Sequence, residues 1–357
     1  MSATTQHIEN NVDILEDDIY KISPDLLSML LKDHSATRAK YNLQEREEVK
    51  QVNIFWATDI YEQRYGKGNG YDYHDPITIE NIIKKNGNVV QPRVNKSAEE
   101  QLKRTREKAE VFTPSWICNK QCNLIDNAWF GRENVFNNEI DLPDNTHDWL
   151  PAEGEIQFPN DPEKTWEKYV SDTRLEITCG EAPYLVSRYD TITGKYIPIS
   201  KRIGILDRKL RVVSERCDDE DKWCHYALIA YQSTYGYDWQ GDNVLLAREA
   251  LFWTYIEYFQ AKFNKKPRKD TLMSIAYIIS WNIWQMDGLK FVIPDSCKKE
   301  CRNDSPQIIG LEDNNPKEMR GCPGCLNSDM PELHNGIKCY IKDWTDDNVI
   351  KFSDLLK

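Results

Sequence analysis

Residues Leu175 to Leu185 read LEITCGEAPYL. In this stretch a short apolar run ends in an acidic residue, passes through a Cys-Gly turn and continues with further apolar residues. Open α/β sheets bind nucleotide-like ligands where the carboxyl end of a strand opens into a glycine-containing loop. Gly180 allows the backbone to come close to a ligand because glycine has no Cβ. The stretch therefore predicts an α/β fold with a ligand-binding loop near residue 180.

Strand and helix patterns alternate after this stretch. Strand patterns cover Arg174–Thr178 and Thr234–Trp239. Apolar residues at helical spacing predict four helices in the same region, Lys209–Arg216, Trp223–Gln232, Val244–Phe263 and Thr271–Ile283. Strands that alternate with helices predict a parallel sheet with helical crossovers. The predicted fold class is therefore α/β, with the core starting near Trp166.

The bulk composition narrows the class of protein. The 357 residues are enough for two domains, or for one large domain with insertions, and the net charge is −12. A mean hydropathy of −0.69 and the lack of a long apolar run predict a soluble protein without a membrane partner. Residues 1–18 are polar and acidic and lack a signal-peptide pattern, so we expect a cytoplasmic location. The acidic charge excludes a surface that is basic throughout. Residues 93–108 nevertheless form a local basic run, which is either a solvated helix face or a phosphate contact.

Shifts in composition divide the chain into four segments. They are a helical N-terminal extension (1–110), a ligand-binding core (111–294), a Cys-containing insertion (295–338) and the start of a further core strand (339–357). The extension ends in a predicted helix from Ser97 to Ala109. A second helix after Pro114 is expected to carry Ile117, Leu124 and Ile125. Residues 131–165 are rich in Pro, Asn and Asp and are interpreted as a long surface connection.

A second acidic residue stands at the end of the next predicted strand. Residues 235–239 read YGYDW, which places Asp238 at the carboxyl end of that strand. An acid in this position can accept hydrogen bonds from both hydroxyls of a ribose, and Trp239 can cover an adenine face by stacking. Asp207 in ILDRK is a competing ribose acid, although Asp before Arg-Lys is more typical of a helix cap. The alternative for Asp238 is a solvent-facing acid after a buried strand.

The cysteines of residues 295–338 are spaced like metal ligands. The predicted ligands are Cys297, Cys301, Cys322 and Cys325. Pairs of cysteines at this spacing favour a tetrahedral structural zinc site, and the loop between the pairs is too polar to bury itself without a metal. His334 and Cys339 are substitute ligands. The alternative is a set of free thiols, since the ten cysteines of a chain without an export signal are not expected to form disulfides.

Three further segments complete an ordered set of motifs. Residues 104–117 read RTREKAEVFTPSWI, residues 235–249 read YGYDWQGDNVLLARE and residues 282–289 read NIWQMDGL. Together with LEITCGEAPYL they resemble the adenine-N6 DNA methyltransferases of bacterial restriction-modification systems. The most similar group is the one described as restriction endonuclease subunit M, which is related to combined restriction-methylation enzymes. The resemblance covers residues 90 to 345 and implies a Rossmann-like core that binds S-adenosylmethionine.

The resemblance also implies a set of cofactor contacts. They are Phe112, Thr113, Pro114, Glu176, Thr178, Cys179, Gly180, Asp238, Trp239 and Asp287. In such a site Glu176 or Glu181 accepts from the ammonium of the methionine part, and the Thr113 hydroxyl lies near its carboxylate. Asp287 accepts from the exocyclic amine of the cofactor adenine. The family usually has Gly-x-Gly in the first loop, and Ala182 stands at the second glycine of this chain, which weakens the expectation of a close approach there.

One motif of the family is absent from the sequence. Adenine-N6 transfer needs Asn-Pro-Pro-Tyr or Asp-Pro-Pro-Tyr to hold the flipped base, and the 357 residues contain neither. We therefore expect a second polypeptide to supply this tetrad and the domain that recognises the target in double-stranded DNA. The expected function is then site-specific, adenine-specific DNA methylation by direct transfer after base flipping. The alternatives are a non-catalytic relative that binds cofactor or DNA, and a zinc-ordered nucleic-acid-binding module.

Overall fold

The structure is a computed structural model, and it describes residues 12, 14, 16–41, 51–108, 110–143, 146–301, 319–326 and 331–356. The side chains of residues 108, 300, 301, 319, 320 and 356 lie outside this description. The described helices are α1 (Glu16–Ile22), α2 (Pro24–Leu31), α3 (His34–Tyr41), α4 (Ile60–Tyr65), α5 (Ile79–Ile82), α6 (Ala98–Lys108), α7 (Ser115–Phe130), α8 (Trp166–Ser171), α9 (Ile205–Arg216), α10 (Glu220–Gln232), α11 (Gly241–Phe263), α12 (Lys269–Asn282) and α13 (Pro323–Leu326). The described strands are β1 (Asn137–Asp141), β2 (His147–Pro151), β3 (Arg174–Ile177), β4 (Thr234–Asp238), β5 (Ile283–Gln285), β6 (Glu300–Cys301), β7 (Met319–Arg320), β8 (Tyr340–Asp343) and β9 (Asn348–Lys351).

A parallel three-stranded sheet lies at the centre of the fold. Its strand order is β3-β4-β5, with Leu175 opposite Tyr235 and Gly236 opposite Ile283. Gly236 lets the middle strand pack closely against the next chain segment, because a Cβ on this residue would lie 3.1 Å from the Cβ of Cys179. The two predicted strands are confirmed to within one residue, while the short strand β5 was not predicted. The predicted parallel sheet with helical crossovers is therefore present.

The four helices predicted after the first strand are confirmed as α9 to α12. Each begins two to four residues earlier than predicted and ends within one residue of its predicted end. Helix α11 is buried along nearly its whole length, which explains its apolar sequence on all sides. Its first residue, Gly241, donates its backbone N–H to the carbonyl of Trp56, and a Cβ there would lie 2.0 Å from the carbonyl oxygen of Phe55. The N-terminal region is thus packed directly against the start of this helix.

The N-terminal region is helical, as predicted, and it shares the main core. Buried side chains of α2 and of residues 54–61 belong to the same apolar cluster as those of α10, α11 and α12. Arg248 of α11 is buried and donates to the carbonyls of Leu30 and Lys32 at 2.6 and 2.9 Å. The helical extension therefore helps to close the core.

The helix predicted after Pro114 is confirmed as α7, and it carries Ile117, Leu124 and Ile125. Leu124 and Ile125 lie on its outer face, where they are 63% and 42% exposed. The buried face is largely polar, because Asn119, Asn123 and Asp126 all bond the buried guanidinium of Arg208 on α9. This face therefore compensates a buried cation.

Two other segments differ from the prediction. Residues 131–165, expected to be an irregular connection, contain the antiparallel hairpin β1–β2, in which Glu139 lies opposite Trp149. Residues 339–357, expected to begin a further core strand, form the antiparallel hairpin β8–β9 and a short 3-10 helix. This hairpin pairs with itself, and it packs with Tyr237, Trp284 and Phe352 on one face of the sheet. Among the described residues, no helix has both the length and the apolar character needed to cross a membrane.

Candidate functional site

The loops that follow β3, β4 and β5 meet at Asp238. We call this region, residues 176–182 at the end of β3 together with residues 238–243 and 286–289, the carboxyl edge. The Gly180 N–H donates to Asp238 Oδ2 at 2.9 Å, and the Met286 N–H donates to the Asp238 carbonyl at 2.9 Å. Asp238 therefore holds together the three loops whose residues the sequence predicted to share one site. This convergence follows from parallel strands, whose carboxyl ends lie at the same side of a sheet.

The Asp238 carboxylate is buried and only partly satisfied. The Gln240 N–H donates to Oδ1 at 3.0 Å and the Asn243 side-chain amide at 3.4 Å, in addition to the bond from Gly180. Burial raises the pKa of Asp238 to about 6 in spite of these donors. A carboxylate has about four acceptor positions, so Asp238 retains capacity for one more donor. An acceptor held in this way suits a hydroxyl or amine of a ligand.

The glycine loop takes a left-handed backbone conformation at two residues. Gly180 has φ +51° and Ala182 has φ +60°. Ala182 is fully buried and its N–H donates to the Cys179 carbonyl at 2.7 Å, which closes a tight turn. The alanine thus adopts the conformation that a glycine would take without strain. Thr178 is exposed at the start of this loop, while the Cys179 thiol is buried and its pKa is raised well above its usual range by burial.

The two acids of the loop differ in their hydrogen bonds. Both oxygens of Glu181 are used, because Oε1 accepts from the Arg93 N–H at 2.6 Å and Oε2 from the Tyr189 hydroxyl at 2.5 Å. Glu176 Oε1 accepts from the Tyr184 N–H at 3.4 Å, while Glu176 Oε2 is buried and makes no hydrogen bond of normal geometry within the described part of the chain. Burial raises the pKa of Glu176 well above its usual range. Of the two candidates, Glu176 is the one with an oxygen left for a ligand.

The Phe-Thr-Pro segment lies beside the glycine loop, as predicted. Phe112 is buried, and its ring is the nearest group, at 3.9 Å, to the position of a Cβ on Gly180. The Arg93 guanidinium lies 4.9 Å from the centre of the Phe112 ring. The Thr113 carbonyl accepts from the Thr191 hydroxyl at 3.0 Å, and Pro114 precedes the first turn of α7. The segment is therefore fixed against the loop from one side.

Trp239 and Asp287 occupy the two remaining predicted positions. Trp239 is half-buried, and its indole N–H donates to the Tyr73 hydroxyl at 3.1 Å. Asp287 is buried, and its own loop uses both of its oxygens. Oδ1 accepts from the N–H groups of Leu289 and Lys290 at 3.0 and 3.2 Å, and Oδ2 pairs with the Lys290 ammonium at 3.0 Å. Asp287 thus shapes the turn after β5. The competing acid Asp207 lies in the first turn of α9, where it accepts from the Ser187 N–H at 2.7 Å, away from the carboxyl edge.

The sequence did not predict the buried residues that hold Asn243, a hydrogen-bond donor to Asp238, in place. Arg104 is buried, donates to Asn243 Oδ1 at 3.3 Å, and forms ion pairs with Glu110 and Asp242. Lys96 is also buried, 3.6 Å from Asp242. Two cations of the basic run at 93–108 are therefore committed to internal acids, which fits neither a solvated face nor a phosphate contact. The only signal for them in the sequence is the excess of basic residues just before the Phe-Thr-Pro segment.

Four ligand groups converge in the Cys-containing segment. Cys297, Cys322, Cys325 and His334, which we call the Cys3His centre, place their ligand atoms within 4.8 Å of one another. The three sulfur atoms lie 3.7, 3.8 and 3.6 Å from His334 Nδ1. A tetrahedral zinc with Zn–S of about 2.3 Å and Zn–N of about 2.0 Å separates S from N by about 3.6 Å. The cluster could therefore hold a metal ion such as zinc.

The surroundings of the centre fit a metal site. One ring nitrogen cannot accept hydrogen bonds from three thiols at once, so the four groups cannot satisfy one another. Gly324 is required, because a Cβ there would lie 2.6 Å from the His334 ring. Burial acts to raise the pKa of Cys322, but the N–H groups of Asn335, Cys325 and Gly324 outweigh it, and the pKa is lowered to about 7. Backbone N–H groups that stabilise a thiolate in this way are common around bound metals.

Three of the four predicted ligands belong to this centre. The fourth position is taken by His334, which the sequence left as a substitute. Cys301 has its backbone in β6, but its side chain lies outside the described residues. Cys339, the other substitute, is buried and points its thiol to the Gln285 carbonyl at 3.6 Å. Comparisons of the chain with protein-family models, with curated proteins and with solved structures found no match.

Proposed function

We propose that the carboxyl edge binds S-adenosylmethionine and that the chain is the cofactor-binding part of an adenine-N6 DNA methyltransferase, acting as a modification subunit. The observation that carries the proposal is the bond from Gly180 to Asp238, which joins the glycine loop of β3 to the acid of β4 at the carboxyl ends of parallel strands. Nucleotide-like cofactors bind at this place in open α/β sheets. The order of motifs along the sequence supports a methyltransferase over other nucleotide-binding enzymes.

The residues of the carboxyl edge have distinct proposed roles. S-adenosylmethionine supplies an electrophilic methyl group. Asp238 accepts from one ribose hydroxyl through its remaining acceptor position. Glu176 accepts from the ammonium through Oε2, which makes no hydrogen bond of normal geometry among the described residues. Trp239 covers the adenine ring, and Phe112 and Thr113 close the site below the glycine loop. Both oxygens of Asp287 are already bonded within its own loop. Its proposed role is therefore to shape the turn after β5 beside the cofactor, and not to accept a hydrogen bond from the cofactor adenine.

The unpaired edge of β3 supports the proposal that a second polypeptide takes part. Among the described strands β3 pairs only with β4, and Leu175 and Ile177 on one face are 37% and 68% exposed. An unpaired edge with apolar side chains is a template for another strand. We propose that the strand carrying the Pro-Pro-Tyr tetrad adds here, from a partner that also recognises double-stranded DNA. The chain alone is then expected to bind cofactor but not to methylate DNA.

A calorimetric titration with S-adenosylmethionine tests the cofactor site. We expect saturable binding by the chain and its loss in Asp238→Ala, with Asp270→Ala, an exposed acid of α12, as the control. Glu176→Gln and Glu181→Gln form a matched pair within one loop. The first should weaken binding at least tenfold, which is about 1.4 kcal/mol. The second should change it less than threefold. No binding by the native chain, or equal effects of the matched pair, would contradict the proposal.

We also propose that the Cys3His centre holds a structural Zn²⁺ ion. Four protein ligands in tetrahedral arrangement leave no open position for catalysis. The S–N distances of 3.6 to 3.8 Å match those around zinc. Metal analysis of the purified chain should give one zinc per molecule, and Cys325→Ser should reduce this amount, whereas Cys224→Ser on α10 should not. A chain that contains no metal and takes up none would contradict this assignment.

A further inference from the structure

The Cys3His centre is joined to the carboxyl edge through the loop after β5. Cys297 directly follows Ser296, whose hydroxyl accepts from the Ile337 N–H at 2.9 Å and donates to the Ile293 carbonyl at 2.6 Å. The Ile293 N–H in turn donates to the Ile337 carbonyl at 2.8 Å. The segments that carry the ligands Cys297 and His334 are therefore tied to each other and to the loop.

The same loop continues without a break to Asp287. The Asp287 N–H donates to the Val292 carbonyl at 2.8 Å, and the Phe291 N–H donates to the Asp287 carbonyl at 2.8 Å. Phe291 and Asp295 have φ of +55° and +52°, although neither is a glycine. Non-glycine residues keep this sparsely populated conformation only where their surroundings hold them in it. The loop between Asp287 and Cys297 thus depends on contacts at both of its ends.

Two side-chain hydrogen bonds connect the loop that carries the ligand Cys297 to Trp239. Asp295, two residues before Cys297, accepts from the Tyr73 hydroxyl at 2.6 Å. The same hydroxyl accepts from the Trp239 indole N–H at 3.1 Å. One phenol therefore bridges the loop that enters the centre and the aromatic ring at the carboxyl edge. Tyr73 lies 166 residues before Trp239 in sequence, and its hydroxyl is a direct side-chain connection between the two regions.

We propose that Tyr73 and Asp295 are positioning residues through which metal at the Cys3His centre fixes Trp239, so that metal and cofactor bind cooperatively. The cofactor part of this inference rests on the proposed function. Coupling between two sites is reciprocal, so the cofactor should tighten metal binding by the same factor as the metal tightens cofactor binding. Couplings of this kind are commonly 5- to 150-fold, and we expect about tenfold here, because the connection consists of a few hydrogen bonds.

The test compares zinc-loaded and chelator-treated full-length chain. S-adenosylmethionine should bind about tenfold more tightly to the zinc-loaded protein. Tyr73→Phe removes the bridging hydroxyl and keeps the ring, so it should still bind but with less than a threefold difference between the two forms. Tyr71→Phe is the matched control, because its hydroxyl bonds the Asn81 carbonyl and not Trp239. This variant should retain the tenfold difference. Affinities that are equal with and without zinc in the native chain overturn the proposal.

Hydrogen exchange provides a second readout that needs no cofactor. Zinc should slow amide exchange both in residues 291–297 and in residues 237–241 of the native chain. In Tyr73→Phe it should slow exchange only in residues 291–297. If the cofactor does not bind while exchange in 237–241 still responds to zinc, the proposed function fails and the coupling stands. If exchange in 237–241 ignores zinc in the native chain, the coupling fails, whatever the cofactor does.

Discussion

The polar groups of the carboxyl edge and those of the Cys3His centre differ in how completely the protein itself bonds them. At the carboxyl edge the acids already have protein donors, since Asp238, Glu181 and Asp287 each accept backbone N–H groups. At the centre three sulfur atoms surround one nitrogen that can serve only one of them. The first region is complete as folded, apart from one oxygen of Glu176 and one acceptor position on Asp238. The second is a set of ligands that the protein alone cannot satisfy.

The two regions also differ in how much apolar packing surrounds them. The carboxyl edge lies on α11, which is buried along nearly its whole length and belongs to the main apolar cluster. Near the centre Leu326 and Leu333 are exposed, and the buried residues are Cys322, Gly324 and His334. The few apolar side chains that are buried among the described residues of this segment do not offset its conformational entropy by burial alone. We infer that the core orders the carboxyl edge and that a metal ion orders the centre.

Metal removal should produce the largest effect and separate the two regions. Structural zinc contributes about 10–16 kcal/mol in small zinc-binding peptides, so its loss should unfold the segment around the centre. In Cys325→Ser, or with a chelator, amide exchange in residues 331–339 should become at least a hundredfold faster, measured by mass spectrometry. Exchange in residues 245–263 of α11 should stay unchanged. Equal loss of protection in both places would show that the metal supports the whole fold, which would remove the contrast between them.

Gly241→Ala should damage the carboxyl edge in a way that no metal can repair. Alanine within a helix is normally more stable than glycine by about 0.5–1 kcal/mol. Here a Cβ would lie 2.0 Å from the Phe55 carbonyl oxygen, so either the helix start or residues 54–57 must move. We expect a net destabilisation of about 3 kcal/mol in thermal or urea unfolding. Ala261→Gly at the exposed end of the same helix should cost only about 1 kcal/mol. A stabilised Gly241→Ala would contradict this packing.

The ionisation of Asp238 should make the stability of the carboxyl edge depend on pH. Its folded pKa is about 6, above the ordinary 3.8, so the folded chain binds this proton more tightly. Its contribution to stability is therefore present below pH 3.8 and is lost as the pH rises to about 6. Two pKa units correspond to about 3 kcal/mol. Asp238→Asn should thus stabilise the protein by up to this amount at pH 7 and change little at pH 3.5, while it abolishes cofactor binding.

Unfolding curves at several pH values test this prediction. Asp270→Asn is the control, because this exposed acid should not alter the pH dependence. A destabilised Asp238→Asn at pH 7 would mean that the charge of Asp238 is better compensated than its burial implies.

The sequence predicted those features of the site that depend on neighbouring residues. Asp238 follows an apolar strand and Gly180 follows another, and parallel pairing brings both to one edge. Glu176 and Glu181 could not be distinguished, because the difference depends on Arg93 and Tyr189, which reach Glu181 only in the fold. Spacing favoured Cys301 as the fourth ligand and left His334 as a substitute. The structure places His334 with the three thiols, whereas the Cys301 side chain lies outside the described residues.

The orientation of α7 shows a second limit of sequence reasoning. The sequence predicted the helix but not which of its faces is buried, and its apolar residues Leu124 and Ile125 are exposed. The buried face is set by Arg208, 82 residues from Asp126 in sequence, whose guanidinium needs several acceptors at once. A local pattern carries no information about such a distant cation. The relay from Arg104 through Asn243 to Asp238 was missed for the same reason, since its first step spans 139 residues.

Ala182→Gly should have the smallest effect, and it tests whether the carboxyl edge stores strain. A left-handed alanine costs roughly 1–2 kcal/mol relative to a relaxed backbone, and glycine would remove this cost. The substitution also loses a buried methyl group, worth about 0.8 kcal/mol, and adds roughly 0.4–1 kcal/mol of unfolded-state entropy. These terms nearly cancel, so stability should change by less than about 1 kcal/mol. Ala247→Gly removes the same buried methyl group from the right-handed helix α11, with no strain to relieve, and should cost about 2 kcal/mol. Equal losses in the two variants would mean that the loop is relaxed with alanine, and that the second glycine of the family is not needed for this turn.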